Sequence, residues 1–413
     1  MDKPTKQKKK RQPWIKPRHA FITNVAKIVL KPYISYKYGI KIEKFKDQGD
    51  RQYLIIANHQ TGFDQFFVSY CFKGAIYYIA SEDIFSMGFV SDLLRFAVNP
   101  IPIKKQTTDI SAVLNCLRVA REGGTIAIFP EGNRTYSGKT EYINPAIAAL
   151  AKKMALPIAI VKIEGGYGVS PRWADNPRKG KMKAYVSRVI EPNEYVSLDD
   201  CSFISMIENE LYVNEARVDN DYTSNQLAEY LERAIYYCPK CNFLSTFESH
   251  SDEMECKNCG MKVRYLPSKE IVGVNYDLPY RFVLDWYEAQ GKFINQIDLT
   301  KLCDKPVYVE QGDFSEVIVY KNKKVLLDKA FIHLYGDRFE IKQGWNEFVF
   351  KFDDIRAITV CGKNKLNFYV GDKAYQFTST KRFNALKYVN FVFRYRNIKK
   401  AEKGENYDEF LGL

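Results

Sequence analysis

Between residues 50 and 195 the chain alternates short apolar runs with amphipathic stretches, and this alternation limits the fold more than any other feature of its 413 residues. Tyr53–Ala57, Thr125–Phe129 and Leu156–Val161 read as strands. Asp109 can cap a helix that carries Ile110, Val113, Leu114 and Leu117 on one face and closes at Gly123-Gly124. Strands alternating with helices over this length imply an α/β domain with a mostly parallel central sheet. Open sheets of that kind place chemistry in loops at the carboxyl ends of their strands.

The second half reads differently. Thr223 and Gln226 form a possible capping box for a helix over 223–236, with Leu227, Tyr230, Leu231 and Ala234 on one face. That helix leads into Cys238-Pro-Lys-Cys241 and, fourteen residues later, Cys256-Lys-Asn-Cys259. Two such knuckles can present four thiolates tetrahedrally to one ion, and a ribbon this small hardly folds without it. Cys238, Cys241, Cys256 and Cys259 are therefore expected to hold a structural Zn2+, with His250 exposed in the loop between them. Cys71, Cys116, Cys201, Cys303 and Cys361 read instead as small buried apolar residues. After a helix near 280–294, the segments EVIVY, FIHLY, RFEIK, FVFKF, AITV, NFYV and YQFTS are short and β-rich, with turns at Gly336-Asp337 and Gly371-Asp372. A helix over 382–396 closes this module, so a small β-barrel capped by a C-terminal helix is expected.

Charge is unevenly placed. The formal net charge is +13, and residues 1–50 carry 14 basic and 4 acidic residues, which leaves the other 363 nearly balanced. A basic arm beside an apolar stripe suits an anionic membrane surface. The stripe is Phe21, Ile22, Val25, Ile28 and Val29, ending where Pro32 should stop the helix. It reads equally as an interfacial helix or as one packed on the domain behind it. The longest run without Asp, Glu, Lys or Arg is 52–63, too short for the roughly 20 apolar residues that span a bilayer. The N-terminus lacks the apolar core of a secretory signal, and paired Cys-x-x-Cys motifs suit a reducing compartment. The expectation is a cytoplasmic protein, peripheral on the inner face of the cell membrane. Nucleic acid is not an expected partner, because the stretch between the knuckles is acidic.

Two loops could carry chemistry. His59, one of four histidines, directly follows the strand YLIIA in Asn58-His59-Gln60-Thr61-Gly62-Phe63-Asp64. On an ideal helix His59 and Asp64 would sit about 140° apart, so pairing requires the loop to curl back, which Gly62 permits. A carboxylate-held neutral imidazole can take a proton from a hydroxyl. The second loop, Phe129-Pro-Glu131-Gly132-Asn133-Arg134-Thr135, follows the strand TIAIF and offers a carboxylate, a forked guanidinium and a hydroxyl, a set suited to a phosphate and its neighbouring hydroxyls.

HQTGFD resembles the His-x4-Asp motif, and FPEGNRT the Phe-Pro-Glu-Gly-Thr-Arg-Ser motif, of the 1-acylglycerol-3-phosphate acyltransferase family of glycerolipid acyltransferases. NPIPIKK and LPIAIV resemble that family's intermediate and last motifs, in the same order, so the resemblance covers about 45–190. It implies acyl transfer from a thioester, acyl carrier protein or acyl-coenzyme A, to the hydroxyl of lysophosphatidic acid. Glycerol 3-phosphate or another lysophospholipid is the alternative acceptor. His59 would be the base and Asp64 its orienter; Glu131, Gly132 and Arg134 would bind the glycerol phosphate, with Lys104 and Lys105 contacting phosphate. Lys105 stands where the family has Arg, and Asn133 and Thr135 replace Thr and Ser. Pro157 matches the last motif, and no catalytic cofactor is implied. The C-terminal module resembles a pleckstrin-homology or GRAM domain in outline only. A rival from another class is a zinc-ribbon adaptor with an inactive acyltransferase domain, against which the intact His59, Asp64, Glu131 and Arg134 speak. Gly165-Gly166-x-Gly168 lacks the spacing of a dinucleotide fingerprint.

The expected division is a basic tail (1–18), an interfacial segment (19–40), an acyltransferase domain (41–235), a zinc ribbon (236–265), a helical linker (266–304), a pleckstrin-homology-like β domain (305–400) and a tail (401–413).

Overall fold

A computed structural model describes residues 12–103, 109–217, 219–244, 246–318, 321, 323–405 and 409–412. The N-terminal part is built from α1 (Pro17–Tyr38), β1 (Ile40–Ile42), β2 (Leu54–Ala57), α2 (Asp64–Cys71), β3 (Ile76–Ser81), α3 (Phe89–Ala97), β4 (Ile101–Ile103), α4 (Ile110–Arg121), β5 (Thr125–Ile128), α5 (Ala146–Met154), β6 (Ile158–Glu164), α6 (Gly166–Val169), β7 (Met182–Ile190), α7 (Pro192–Tyr195) and α8 (Asp200–Leu211). Its seven strands order as β1-β7-β6-β2-β5-β3-β4, and only the β6–β7 pair is antiparallel. The parallel-rich α/β expectation therefore holds. Side chains alternate across the sheet with period two. Leu54 and Ile56 face a core with Cys116, Ala148 and Phe203 of α4, α5 and α8, while Ile55 and Ala57 face the other core with Tyr38, Phe67 and Val68 of α1 and α2.

β2 and β5 are direct neighbours, Leu54–Ile56 lying against Ile126–Ile128. Their carboxyl ends therefore open side by side, and the loops after them must share one region of the surface.

The remainder comprises β8 (Tyr237–Cys238), β9 (Phe243–Leu244), β10 (Phe247–His250), β11 (Glu253–Cys256), β12 (Lys262–Tyr265), β13 (Ile271–Gly273), α9 (Val283–Gln296), β14 (Tyr308–Val317), β15 (Lys324–Leu334), β16 (Arg338–Gln343), β17 (Asn346–Lys351), β18 (Ile355–Cys361), β19 (Lys365–Val370), β20 (Lys373–Ser379) and α10 (Leu386–Glu402). β10–β13 form an antiparallel ribbon beside the β8–β9 hairpin. The C-terminal sheet, β17-β16-β15-β14-β20-β19-β18, is antiparallel and curls around Phe314, Phe339, Phe350 and Phe368. It is an open half-barrel, the small barrel expected left unclosed because β17 and β18 are edge strands that do not pair. The ribbon, this sheet and Tyr136, Tyr167 and Trp173 of the N-terminal part share one hydrophobic core.

Three local expectations change. Residues 223–236 are not an α-helix: Thr223 bridges Lys179, and only Leu231–Arg233 makes a short 3-10 turn. Leu227, Ala228, Leu231, Ala234, Ile235 and Tyr236 are all buried, so packing on every side overrides a one-faced helical pattern. α1 continues through Pro32 to Tyr38, and its stripe points outward, with Phe21 70% and Ile28 75% exposed. Cys201 is exposed, whereas Cys71 and Cys116 are buried as expected.

The glycine run after β6 is a packing device. Gly165 has φ +76°, and a Cβ there would meet the Lys181 carbonyl oxygen at 2.1 Å. Gly165→Ala should cost roughly 2–4 kcal/mol in urea unfolding. Gly132, at φ +69° with open space around it, should cost only the left-handed backbone strain of about 1–2 kcal/mol when changed to Ala. Equal costs at the two positions would contradict this account.

Candidate functional site

The loop after β2 is pinned from behind. Asn58 closes a two-bond ring with Ile163, its Nδ2 donating to the carbonyl at 2.8 Å and its Oδ1 accepting from the amide at 2.8 Å. Gln60 Oε1 accepts from the Tyr167 amide at 2.8 Å. Asp64, fully buried at the start of α2, gathers the loop: its Oδ2 accepts from His59 Nδ1 at 2.8 Å, the Gln60 amide at 2.6 Å and the Thr61 amide at 2.9 Å, and its Oδ1 accepts from the Thr61 hydroxyl at 2.6 Å. These bonds, not a left-handed glycine, curl the loop back, since Gly62 does not have positive φ. With Nδ1 donating to the carboxylate, Nε2 is the basic nitrogen of His59. The imidazole stacks on Phe129 with centroids 4.4 Å apart and remains partly open to solvent.

The loop after β5 is tied to the first by Glu131. Its Oε1 accepts from the His59 amide at 2.8 Å and its Oε2 from the Glu141 amide at 2.9 Å. Burial pushes this carboxyl up to about 8, against the pull of those two amides. Both oxygens are thus engaged within the chain, although the resemblance implied contact with substrate. The Thr135 amide donates to the His59 carbonyl at 3.2 Å, a further tie between the loops.

Arg134 stands next to the His59 loop. A Cβ at Gly62 would lie 3.8 Å from its Nη1. Burial and the neighbouring guanidinium of Arg172 lower Arg134 to about 10. The two loops therefore bring His59, Asp64, Gly132 and Arg134 to adjoining strand ends. Lys104 and Lys105 lie outside the described residues.

Arg172 was not anticipated from the sequence. It is 1% exposed, sits 4.2 Å above the Tyr136 ring and donates from Nη1 to the Arg134 carbonyl at 2.9 Å. Its only trace in the sequence is a lone cation before Trp173, three residues past α6.

The four paired cysteines converge. Their sulfurs all lie within 4.8 Å of one another, Cys238 and Cys256 buried and Cys241 and Cys259 half-buried. Gly260, at φ +68°, donates its amide to the Cys256 carbonyl at 2.9 Å and closes the second knuckle. Four thiolates at this spacing fit a tetrahedral metal ion. His250 is exposed and faces Glu248 instead.

Residues 39–164 match the family model described as Acyltransferase. The matched segment contains His59, Asp64, Glu131, Gly132 and Arg134, whereas the four paired cysteines and the C-terminal sheet lie beyond it. No curated protein matches the chain. Among solved structures, the crystal structure of the 1-acyl-sn-glycerophosphate (LPA) acyltransferase PlsC from Thermotoga maritima is similar at 19% identity, over 46% of this chain and 78% of that one, with a TM-score of 0.40. The solution structure of the N-terminal PH domain of human ARAP2 is similar at 12% identity, over 24% of this chain and 86% of that one, with a TM-score of 0.18.

Elemental analysis of the purified full chain should return about one metal ion per molecule. Cys238→Ser with Cys256→Ser should abolish it and lower the thermal midpoint, because both sulfurs sit in the core shared with the C-terminal sheet. A metal content unchanged by this double substitution would refute the assignment.

Proposed function

We propose that the chain transfers a fatty acyl group from a thioester, acyl carrier protein or acyl-coenzyme A, to the free hydroxyl of lysophosphatidic acid, giving phosphatidic acid. The observation that carries this reading is the convergence of a carboxylate-held imidazole and a guanidinium at the carboxyl ends of neighbouring strands β2 and β5, within the segment matched by the acyltransferase model. His59 Nε2 accepts the proton of the acceptor hydroxyl as its oxygen attacks the thioester carbonyl. The carbon–sulfur bond breaks, a carbon–oxygen bond forms, and the proton passes from His59 to the departing thiolate. Asp64 holds the ring and stabilises the imidazolium. Arg134 holds the acceptor phosphate, and Glu131 acts by fixing the His59 backbone. The metal at the cysteines is a structural zinc.

Transfer of a labelled acyl group to lysophosphatidic acid tests this, with glycerol 3-phosphate as the competing acceptor. His59→Ala should lower kcat by at least about 100-fold, and Asp64→Asn by a comparable factor through the wrong tautomer. Full activity in His59→Ala would sink the proposal.

The site would work on the cytoplasmic surface of a membrane, in keeping with its lipid acceptor. Among the described residues no helix is long and apolar enough to cross a membrane. α1 and α3 pack together, and Phe21, Ile28 and Val29 of one and Phe89, Leu93 and Phe96 of the other are exposed. α3 buries only Ser91, so its apolar side faces outward. Sinking large apolar side chains into lipid is worth about 1.5–3 kcal/mol each. Phe21→Ser, Ile28→Ser and Phe89→Ser together should cut flotation with phosphatidylglycerol vesicles at least about tenfold. Unchanged flotation would remove these helices from membrane binding.

A further inference from the structure

The C-terminal sheet does not stand apart from the acyltransferase loops. The turn between β18 and β19, Gly362-Lys363-Asn364, lies on them. Asn133 Nδ2 donates to the Thr359 hydroxyl at 2.8 Å, and Arg134 Nη2 to the Gly362 carbonyl at 3.1 Å. Arg172 binds both sides of this contact: it donates to the Val360 carbonyl at 3.0 Å, the Gly362 carbonyl at 3.3 Å, the Arg134 carbonyl at 2.9 Å and Asn133 Oδ1 at 3.4 Å. A second set of contacts holds the same edge, with Lys323 on Asp83 at 3.0 Å, Gln376 on Asp83 at 3.1 Å and the Cys361 thiol on Asp83 at 3.2 Å.

The charges in this contact are out of balance. Lys363 and Arg233 both lean on Asp175, at 3.1 and 2.8 Å. Among the described residues, Arg134 and Arg172 have no carboxylate within 4 Å, and their acceptors are carbonyl and amide oxygens. Asp64, whose field reaches Arg134, is already bonded to His59, Gln60 and Thr61. Arg134, Arg172, Arg233 and Lys363 thus gather in one half-buried contact, where Asp175 pairs with two of them and Asp64 and Glu141 act on the other two only from beyond ion-pair distance, and like charges held together out of water favour an anion.

We propose that the acceptor phosphate binds a composite site, in which Arg134 comes from the acyltransferase loop and Lys363 from the C-terminal sheet, with Arg172 locking the two together. The C-terminal module is then part of the acceptor site and sets its preference for a phosphorylated acceptor. This inference rests on the acyltransferase reading for the identity of the anion. Arg172 is a positioning residue; Lys363 would touch the phosphate.

The test uses the full-length, metal-loaded chain and two readouts. In acyl transfer, Lys363→Gln keeps a hydrogen-bond donor for Asp175 but loses the charge, and should raise KM for lysophosphatidic acid about tenfold with the loss falling mainly on KM. In calorimetry, glycerol 3-phosphate should bind the native chain and about tenfold more weakly to Lys363→Gln, while glycerol should bind neither. Lys363→Met repeats both measurements if the Gln variant does not fold. Calorimetry showing this pattern in a chain without acyl transfer would uphold the composite site and bring down the functional reading alone. Native KM and native affinity in Lys363→Gln would overturn the composite site, as would a native chain that does not bind glycerol 3-phosphate.

Discussion

The geometry of the site hangs on one buried carboxyl group. Glu131 reaches the backbone amide of His59 with one oxygen and that of Glu141 with the other, so the loop after β5 cannot shift without moving the loop after β2. Each amide would otherwise be a poorly satisfied donor in a dry place, at a cost of about 1–3 kcal/mol. The same residue holds its own charge reluctantly, since burial drives its carboxyl upward. A group in this position is suited to bracing an imidazole, and in the proposed reaction it leaves Arg134 to meet the phosphate.

Around that brace the chain is more integrated than a string of modules. Trp173 and Tyr167, from the segment after β6, belong to the same hydrophobic core as Cys238, Trp286 and Phe339. Tyr167 also donates its amide to Gln60 in the His59 loop. The cysteine ribbon and the C-terminal sheet are therefore coupled to the site through packed aromatic rings and a short run of hydrogen bonds. A metal in the ribbon would act on the site through that core.

Much of this was legible in the residues. The strands at 54–57, 125–128 and 158–164 and the helices at 110–121 and 283–296 follow from local period and capping, which depend on neighbours within a few positions. The two loops could be found because each follows an apolar strand, and the cysteine ligands because their spacing allows few other uses. Reading failed where burial surrounded a segment. The stretch 223–236 looked one-faced but is buried over most of its length from Leu227 on, and Pro32 was expected to end a helix that continues beyond it. Arg172 escaped notice because its partners are carbonyl oxygens, which leave no mark in a sequence.

By itself, the sequence determined the parallel-rich sheet, the place of the two loops at its carboxyl ends and the four sulfurs that meet, because each depends on contacts between near neighbours or on a repeated residue type. The tertiary structure alone decided that the stripe of α1 faces outward, that the C-terminal sheet stays open and that its Gly362 turn rests on Arg134. Arg134 and Gly362 are 228 residues apart. No local propensity encodes such a contact; it follows from burying a shared aromatic core, which brings distant cations together.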